Sequence, residues 1–493
     1  MLSNDKILAA LLSLSLLLQS CAPSLPKYKN VPKEKIEAPA QFPNQTNKES
    51  ASDATPKEDL VKKSWKLLFQ DQKLIALIDT ALKDNQELNI LSQDVNIANN
   101  EVMARQGQYL PKVGIGAGYE YEKSSQYSSK GAADAVANLP EKMHNRQASI
   151  NASWEIDIWK KLRNSAKSSY YEYLASVEGR NFAVTQLVAE VANDYYALMS
   201  LDNQHEIVEQ FIVNLQQAHE VVELQKFAGR STSLPVRRFD AEIQQNEGRK
   251  CQIEQEIIVT ENHLNKLLGR LPQPIERSSK EFRETKIQEF NTNIPADLID
   301  NRPDVKQASL RLEAAKLNVK SVKAEFYPSL NIDANLGYKS FNSGHFIDSP
   351  QALFYNIAGG ITAPLLNRNA IKADYFSANN KQIQAIYDYE KTFIKAFAEV
   401  SNQLAAVENL KHIYKAKSQQ VDALSDAFEI SNVLFKAARV DYLESLLTRR
   451  DYLESQMQLM EAKQQQLSAY VNLYRALGGG WRNEALNLSQ IRH

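Results

Sequence analysis

Two hydrophobic periods alternate along this chain, and their order repeats. Long stretches place apolar residues every three or four positions, the period of a helix packed along one face, whereas four short segments alternate residue by residue, the period of a strand. One heptad series runs Leu187, Asp194, Leu201, Val208, Leu215, Val222, with Val184, Val191, Leu198, His205 and Ile212 each three residues earlier. That is the seam of a coiled coil. Asp194 and His205 interrupt it, and a polar register device or an imperfect seam is expected there ahead of a ligand site. Neither Gly nor Pro occurs between 180 and 228 or between 365 and 477, so nothing punctuates the helical pattern. A helix from about 163 to 227 would measure roughly 100 Å at 1.5 Å per residue, which predicts an elongated molecule.

Turns complete the helical hairpins. Gly229-Arg230-Ser231-Thr232-Ser233-Leu234-Pro235 supplies a Gly for a left-handed stop and a Pro for a new start. The second repeat reads Ala438-Arg439-Val440-Asp441-Tyr442-Leu443 at the matching place. It has no Gly, and the alternative is an unbroken helix of more than 100 residues; repeat symmetry favours a turn.

Of the four alternating segments, the first sets Val113, Ile115, Ala117, Tyr119 and Tyr121 against Gly114, Gly116, Gly118 and Glu120. The second sets Ile150, Ala152, Trp154, Ile156 and Ile158 against Asn151, Ser153, Glu155 and Asp157; the third sets Leu330, Ile332, Ala334, Leu336 and Tyr338 against Asn331, Asp333, Asn335 and Gly337. A fourth, 353–363, is weaker and mixed. Each has the length of a tilted transmembrane strand. The pattern suits lipid on one side and water on the other, and equally an antiparallel sheet lying on a soluble core. If the strands span, a membrane sheet must close, and four strands cannot close alone. Three chains would supply twelve.

The remaining sequence supplies an address. Lys6 precedes an apolar run, 7–18, too short to span, so residues 1–20 read as an export signal. Leu18-Gln19-Ser20-Cys21 resembles the bacterial lipobox, and Cys21 is the expected lipidation site, with the acyl chains as anchor. Ala22 follows where an inner-membrane-retained lipoprotein would carry Asp, which points to the outer membrane. Residues 21–58, with Pro23, Pro26, Pro32, Pro39 and Pro43 among many charges, read as a tether that cannot bury enough surface to fold alone. Charges nearly cancel, 58 basic against 59 acidic, so nothing suggests a grip on nucleic acid. No phosphate-cradling loop, nucleophile elbow or His/Cys cluster at metal-ligand spacing is found. No enzyme, cofactor or metal is therefore expected, and Cys251 reads as a lone thiol.

The chain resembles the TolC-like outer-membrane factor family, in its lipidated branch. Arg302-Pro303-Asp304-Val305 with Ala308, Leu312, Ala314 and Ala315 is similar to the family's helix opening. Phe326-Tyr327-Pro328-Ser329-Leu330 resembles its helix-to-strand junction, repeated as Tyr109-Leu110-Pro111-Lys112-Val113. Ser153-Trp154-Glu155-Ile156-Asp157-Ile158-Trp159 resembles its strand-to-helix passage, with Thr362-Ala363-Pro364-Leu365-Leu366 as counterpart. The resemblance implies a mainly α fold with a membrane β-barrel portion: a homotrimer with a twelve-stranded barrel and an α-helical periplasmic tunnel. Two repeats are expected, 59–290 (strands 112–122 and 148–158, hairpin 160–270) and 291–485 (strands 329–339 and 353–364, hairpin 369–477). The implied partners are outer-membrane lipid, a periplasmic adaptor (membrane fusion) protein and an inner-membrane efflux pump, and the implied function is passive efflux of small molecules. A type I protein secretion duct and a non-conducting structural coiled-coil lipoprotein are the alternatives.

For the gate, Phe435, Tyr442 and Leu443 match the family's second turn, while Ala438 stands at its Gly, Leu447 at its acidic position and Arg449 at its Gln. Leu443 is the expected apolar plug, with Glu444 or Asp441 as a cation-selecting ring. Buried hairpin packing for Leu443 and a solvated face for the acids are the competing readings. Arg237 and Arg238 are candidates for a salt bridge across the closed tip.

Overall fold

A computed structural model describes residues 23–25, 65–285, 301–364, 368–437 and 439–482. Cys21, the signal segment 1–20 and most of the tether lie outside the described residues. The chain divides into two compact units, one made of 1–34, 96–175 and 309–388, the other of 35–95, 176–308 and 389–493. Two long helices, α4 (Lys161–Phe227) and α7 (Asn369–Lys436), contribute residues to both.

The first unit holds an antiparallel sheet in the order β1-β2-β3-β4: β1 Lys112–Glu122, β2 Met143–Ile156, β3 Ser329–Ser340 and β4 Leu353–Thr362. The register turns the alternation into rows. Ile115, Ile150, Leu336 and Tyr355 lie side by side, flanked by Val113, Ala152, Ala334 and Ile357 and by Ala117, Ala148, Tyr338 and Leu353. The opposite face carries Gly114, Asn151, Asn335 and Asn356 in one row. Here β4, mixed by sequence, resolves: Leu353, Tyr355, Ile357 and Ile361 join the apolar face. β2 starts at Met143, five residues ahead of the expected 148, and ends at Ile156. At the strand-to-helix junction Asp157 caps α4, its carboxylate accepting from the Leu162 and Arg163 amides at 3.1 and 2.9 Å. Trp159 donates to the Pro328 carbonyl at 2.8 Å and packs on Tyr327. Leu25 packs against a cluster of Val319, Phe326, Tyr375 and Ala378.

The second unit holds α1 (Gln72–Asp84) and two hairpins, α4 with α5 (Ser233–Leu267) and α7 with α8 (Tyr442–Ala476). The seam positions Val184, Val191, Leu198, Val208, Leu215 and Val222 are fully buried, so apolar burial along the seam holds the hairpin. Asp194 and His205 leave the seam sideways to pair with α5: Asp194 meets His263 at 2.6 Å, and His205 meets Glu254 at 3.1 Å. Both are cross-helix links, which agrees with a register role.

Hairpin turns close by one device. Arg230 N donates to Gln225 O and Gly229 N to Lys226 O, with Gly229 at φ +71°, a Schellman stop that favours Gly. In the second hairpin Arg439 N donates to Leu434 O, the same six-residue closure, and α7 ends at Lys436. The unbroken-helix alternative is therefore excluded. At the far ends, Gly269 and Gly478 are also left-handed, at φ +70° and +83°. A Cβ on either would sit 2.3–2.4 Å from a carbonyl, of Asp84 and Asn301 respectively. Repeat-related side chains finish these ends: Asn85 donates to Leu267 O at 2.9 Å, and Arg302 to Ala476 O at 2.7 Å.

Among the described residues no helix is long and apolar enough to cross a membrane. That finding concerns helices alone.

Candidate functional site

Two surfaces carry the functional reading, and each is built within its own unit. The first is the apolar face of the sheet. Ile115 is 88 % exposed and Tyr355 and Ile357 each 77 %: large apolar side chains in adjacent rows are left bare among the described residues. Soluble surfaces rarely leave so wide an apolar patch bare. The alternative left open by the sequence, a sheet lying on a soluble core, requires these residues to be buried, and they are not. Their opposite face is polar and self-bonded, with Ser149 donating to Asn151 and Gln147 to Ser149. Both outer strands, β1 and β4, leave an edge without a partner among the described residues, which a strand in lipid cannot tolerate.

The second surface is the tip of the second hairpin. Asp441 occupies the N-cap position of α8 without capping it, so its carboxylate is left exposed. Two turns of α8 then divide cleanly by face. Leu443, Glu444 and Leu447 are exposed, Leu443 by 45 % and Leu447 by 47 %, while Ser445, Leu446 and Arg449 are buried. The buried-packing reading for Leu443 is thus not met within one chain. Phe435 packs its ring on Phe239 of α5, centroids 6.3 Å apart, and Tyr442 joins the core, so the family-like aromatic positions fasten the tip from which Leu443 and Glu444 project.

The first hairpin's tip is different. Arg237 pairs with Asp240 at 3.2 Å, one turn away on α5, and the same carboxylate takes His219 of α4 at 3.0 Å. Arg238 is exposed, with no ion pair among the described residues. Among the described residues neither arginine pairs with the second hairpin.

Two other ties between the hairpins were not visible in the sequence: Arg450 with Glu242 at 3.4 Å and Arg249 with Glu454 at 3.3 Å, each joining α8 to α5. Two buried arginines also stand out. Burial alone would lower the pKa of Arg302, but the hydrogen bonds and charges of Asp304 and Glu399 outweigh it and hold the group above its ordinary value. Arg449 has no such company. It donates to Asn432 at 2.7 Å and lies over the Phe428 ring, its Nε has no partner among the described residues, and burial pushes its guanidinium below the ordinary value. The sequence signal was faint: an Arg where the resembled family has Gln.

Among the described residues no group of three or more His, Cys, Asp or Glu is placed to hold a metal ion, and Cys251 is a free, exposed thiol.

Comparison with known proteins gives the same answer from a separate direction. The family model described as outer membrane efflux protein matches residues 77–270 and 294–479, one block per repeat. The pyoverdine export outer membrane protein OpmQ of Pseudomonas putida is 26% identical over 475 residues, 96% of this chain and 98% of that protein. The cation efflux system protein CusC of Escherichia coli is 25% identical over 421 residues, 85% of this chain and 88% of that protein. In fold, the open state of the Neisseria gonorrhoeae MtrE outer membrane channel superposes with a TM-score of 0.79 at 23% identity, covering 93% of this chain and 98% of that one. With its doubled strand-and-hairpin repeat, its bare apolar sheet face and a family match across both repeats, this chain belongs to the outer membrane efflux protein family and is an outer-membrane efflux component.

Proposed function

We propose that three copies of the chain close a twelve-stranded barrel and form the exit duct of a tripartite efflux system. It passively conducts small molecules that an inner-membrane pump delivers through a periplasmic adaptor. The sheet carries this reading: among the described residues it has four strands, apolar on one bare face and polar on the other, with two unpaired edges. Edge pairing between copies removes the exposed backbone groups, and twelve strands lie within the range of membrane barrels. The duct performs no chemistry of its own. Its relatives' names range from a pyoverdine export protein to a cation efflux system protein, which suits a conduit whose selectivity lies in the pump.

Leu443 is the apolar plug at the tip, and Glu444 with Asp441 forms the acidic ring beside it. Three copies of an exposed leucine at the mouth of a narrow bundle exclude water, and carboxylates next to them favour cations. Cys21 is the lipid anchor. Leu25, four residues on, is seated against Phe326, just before β3. An extended link of that length spans about 14 Å, short enough to keep the acyl chains beside the barrel. Arg238, and Arg237 in addition to its bond to Asp240, meet further partner charges across the closed assembly.

The test is to purify the full chain in detergent, determine its mass and lipid content, and record conductance in a planar bilayer. A lipidated trimer with small, cation-preferring conductance that rises in Leu443→Ala and Glu444→Gln is expected. A monomer that needs no detergent and passes no current would overturn the duct, and unchanged conductance in both variants would remove the gate from this tip.

A further inference from the structure

The extra five residues of β2 carry a feature unlike the rest of the sheet. Alternation continues through them, so His144 and Arg146 fall on the same face as Ile150 and Trp154. The register sets Arg146 opposite Tyr119 and His144 opposite Tyr121. The four side chains form one cluster. Tyr119 Oη and His144 Nδ1 are 2.5 Å apart, the His144 and Tyr121 rings lie 4.8 Å apart, and the Arg146 guanidinium is 5.7 Å from the centre of the Tyr119 ring. Arg146 donates to the His144 carbonyl at 3.4 Å and pairs with no carboxylate among the described residues. Nearby acids are engaged or turned away: Glu122 is held by Lys130 and Glu141 by Lys123. Glu120 lies opposite Asn145 on the other face, where it accepts from that amide.

Position along the strand gives the cluster its meaning. Ten residues separate His144 from Trp154, about 34 Å at ~3.4 Å per residue, or about 26 Å across the membrane at a tilt near 40°. That is the height of the apolar band of such a barrel. Trp154, donating to the Tyr109 carbonyl at 3.1 Å, marks one boundary. The Tyr119, Tyr121, His144 and Arg146 cluster marks the other, at the headgroups of the leaflet away from the helices. A cation on the lipid side of a strand is costly in hydrocarbon but at home at this depth.

We infer that Arg146 and His144, with the Tyr119 hydroxyl, form a binding site on the outer wall of the barrel for the phosphate of a lipid headgroup. Arg is suited to this because its planar fork of donors matches phosphate oxygens. The Tyr119 hydroxyl, bonded to His144 Nδ1, fixes the imidazole so that its Nε2–H is the second donor, while the acyl chains lie down the apolar rows of Ile115, Ile150 and Leu336. In the outer leaflet the ligand is a phosphorylated glycolipid. The inference rests on the barrel reading, and conductance of the same preparation checks that reading separately.

Full-length trimer in detergent would be titrated with lipid A bearing both phosphates, with the dephosphorylated form and with inorganic phosphate, and bound lipid counted by native mass spectrometry. Retention of the phosphorylated lipid is expected to exceed that of the dephosphorylated form by about tenfold, the worth of one charge-assisted contact. Arg146→Gln should lose that preference, Tyr119→Phe, which removes only a hydroxyl, should lose part of it, and Arg146→Lys should keep part. Equal retention of the two lipids, or an unaltered preference in Arg146→Gln trimers that still conduct, would overturn the site. Competition by inorganic phosphate as strong as by the lipid would replace it with a free-ion site and overturn the lipid assignment.

Discussion

Adjacent residues on β2 offer a direct test of which face of the sheet meets lipid. Ile150 and Asn151 are neighbours in sequence and project to opposite sides, Ile150 in the row with Ile115 and Leu336, Asn151 in the row with Gly114 and Asn335. Ile150 is four residues from Trp154 and six from His144, which puts it near the middle of the apolar band. A lysine on the lipid face costs about 2–4 kcal/mol at the midplane. Every copy carries the change, so a trimer bears about three times that cost, which is comparable to the whole stability of a typical domain. Ile150→Lys is therefore expected to block trimer assembly or lower its urea midpoint sharply. Asn151→Lys places the same charge toward water, should leave assembly within about 1 kcal/mol, and should shift conductance toward anions. Refolding into phospholipid vesicles, followed by gel mobility without boiling and then by single-channel recording, reads both quantities. Assembly that tolerates Ile150→Lys and fails with Asn151→Lys would invert the faces. Tolerance of both would remove the membrane from the account.

The buried arginines yield a matched pair of predictions. Arg302→Leu strips Asp304, Glu399 and the Ala476 carbonyl of a partner, so a loss of about 3–5 kcal/mol is expected, read as a fall in the unfolding midpoint. Arg449→Met should do the opposite, since it removes a buried charge that no carboxylate offsets; a gain of about 1 kcal/mol in the same assay is expected, and a loss would mean that the contacts to Asn432 and Phe428 outweigh desolvation.

Periodicity made most of the fold legible. The strand at Lys112–Glu122 and the coiled-coil seam each follow from one repeated spacing, because half-buried strands and packed helices must alternate at their own periods. The turn near Ala438 lacked its Gly and was recoverable only from the first repeat. The start of β2 was missed because His144 and Arg146 sit where the apolar period calls for hydrocarbon, so a functional departure looked like the end of the pattern. The mixed character of β4 came from Gly359 and Phe354, which read ambiguously alone and cleanly once β3 fixes their faces. At the tip, Leu443 and Glu444 could be named from resemblance, and the pairing of Arg237 with Asp240 follows from helical i,i+3 spacing, but the approach of His219 to Asp240 and the ties from α8 to α5 depend on distances that no spacing encodes.

The two unpaired edges of the sheet bear on inheritance as well as on assembly. Since each copy's β1 needs another copy's β4, a chain with one ruined edge still offers the other and can be taken into a ring it cannot complete. In a cell making equal amounts of sound and damaged chains, only about one ring in eight would contain sound chains alone. A lesion at Gly114 or Ile357 that spares the helices is thus expected to be dominant, whereas a lesion that unfolds the chain before it can pair is expected to be recessive.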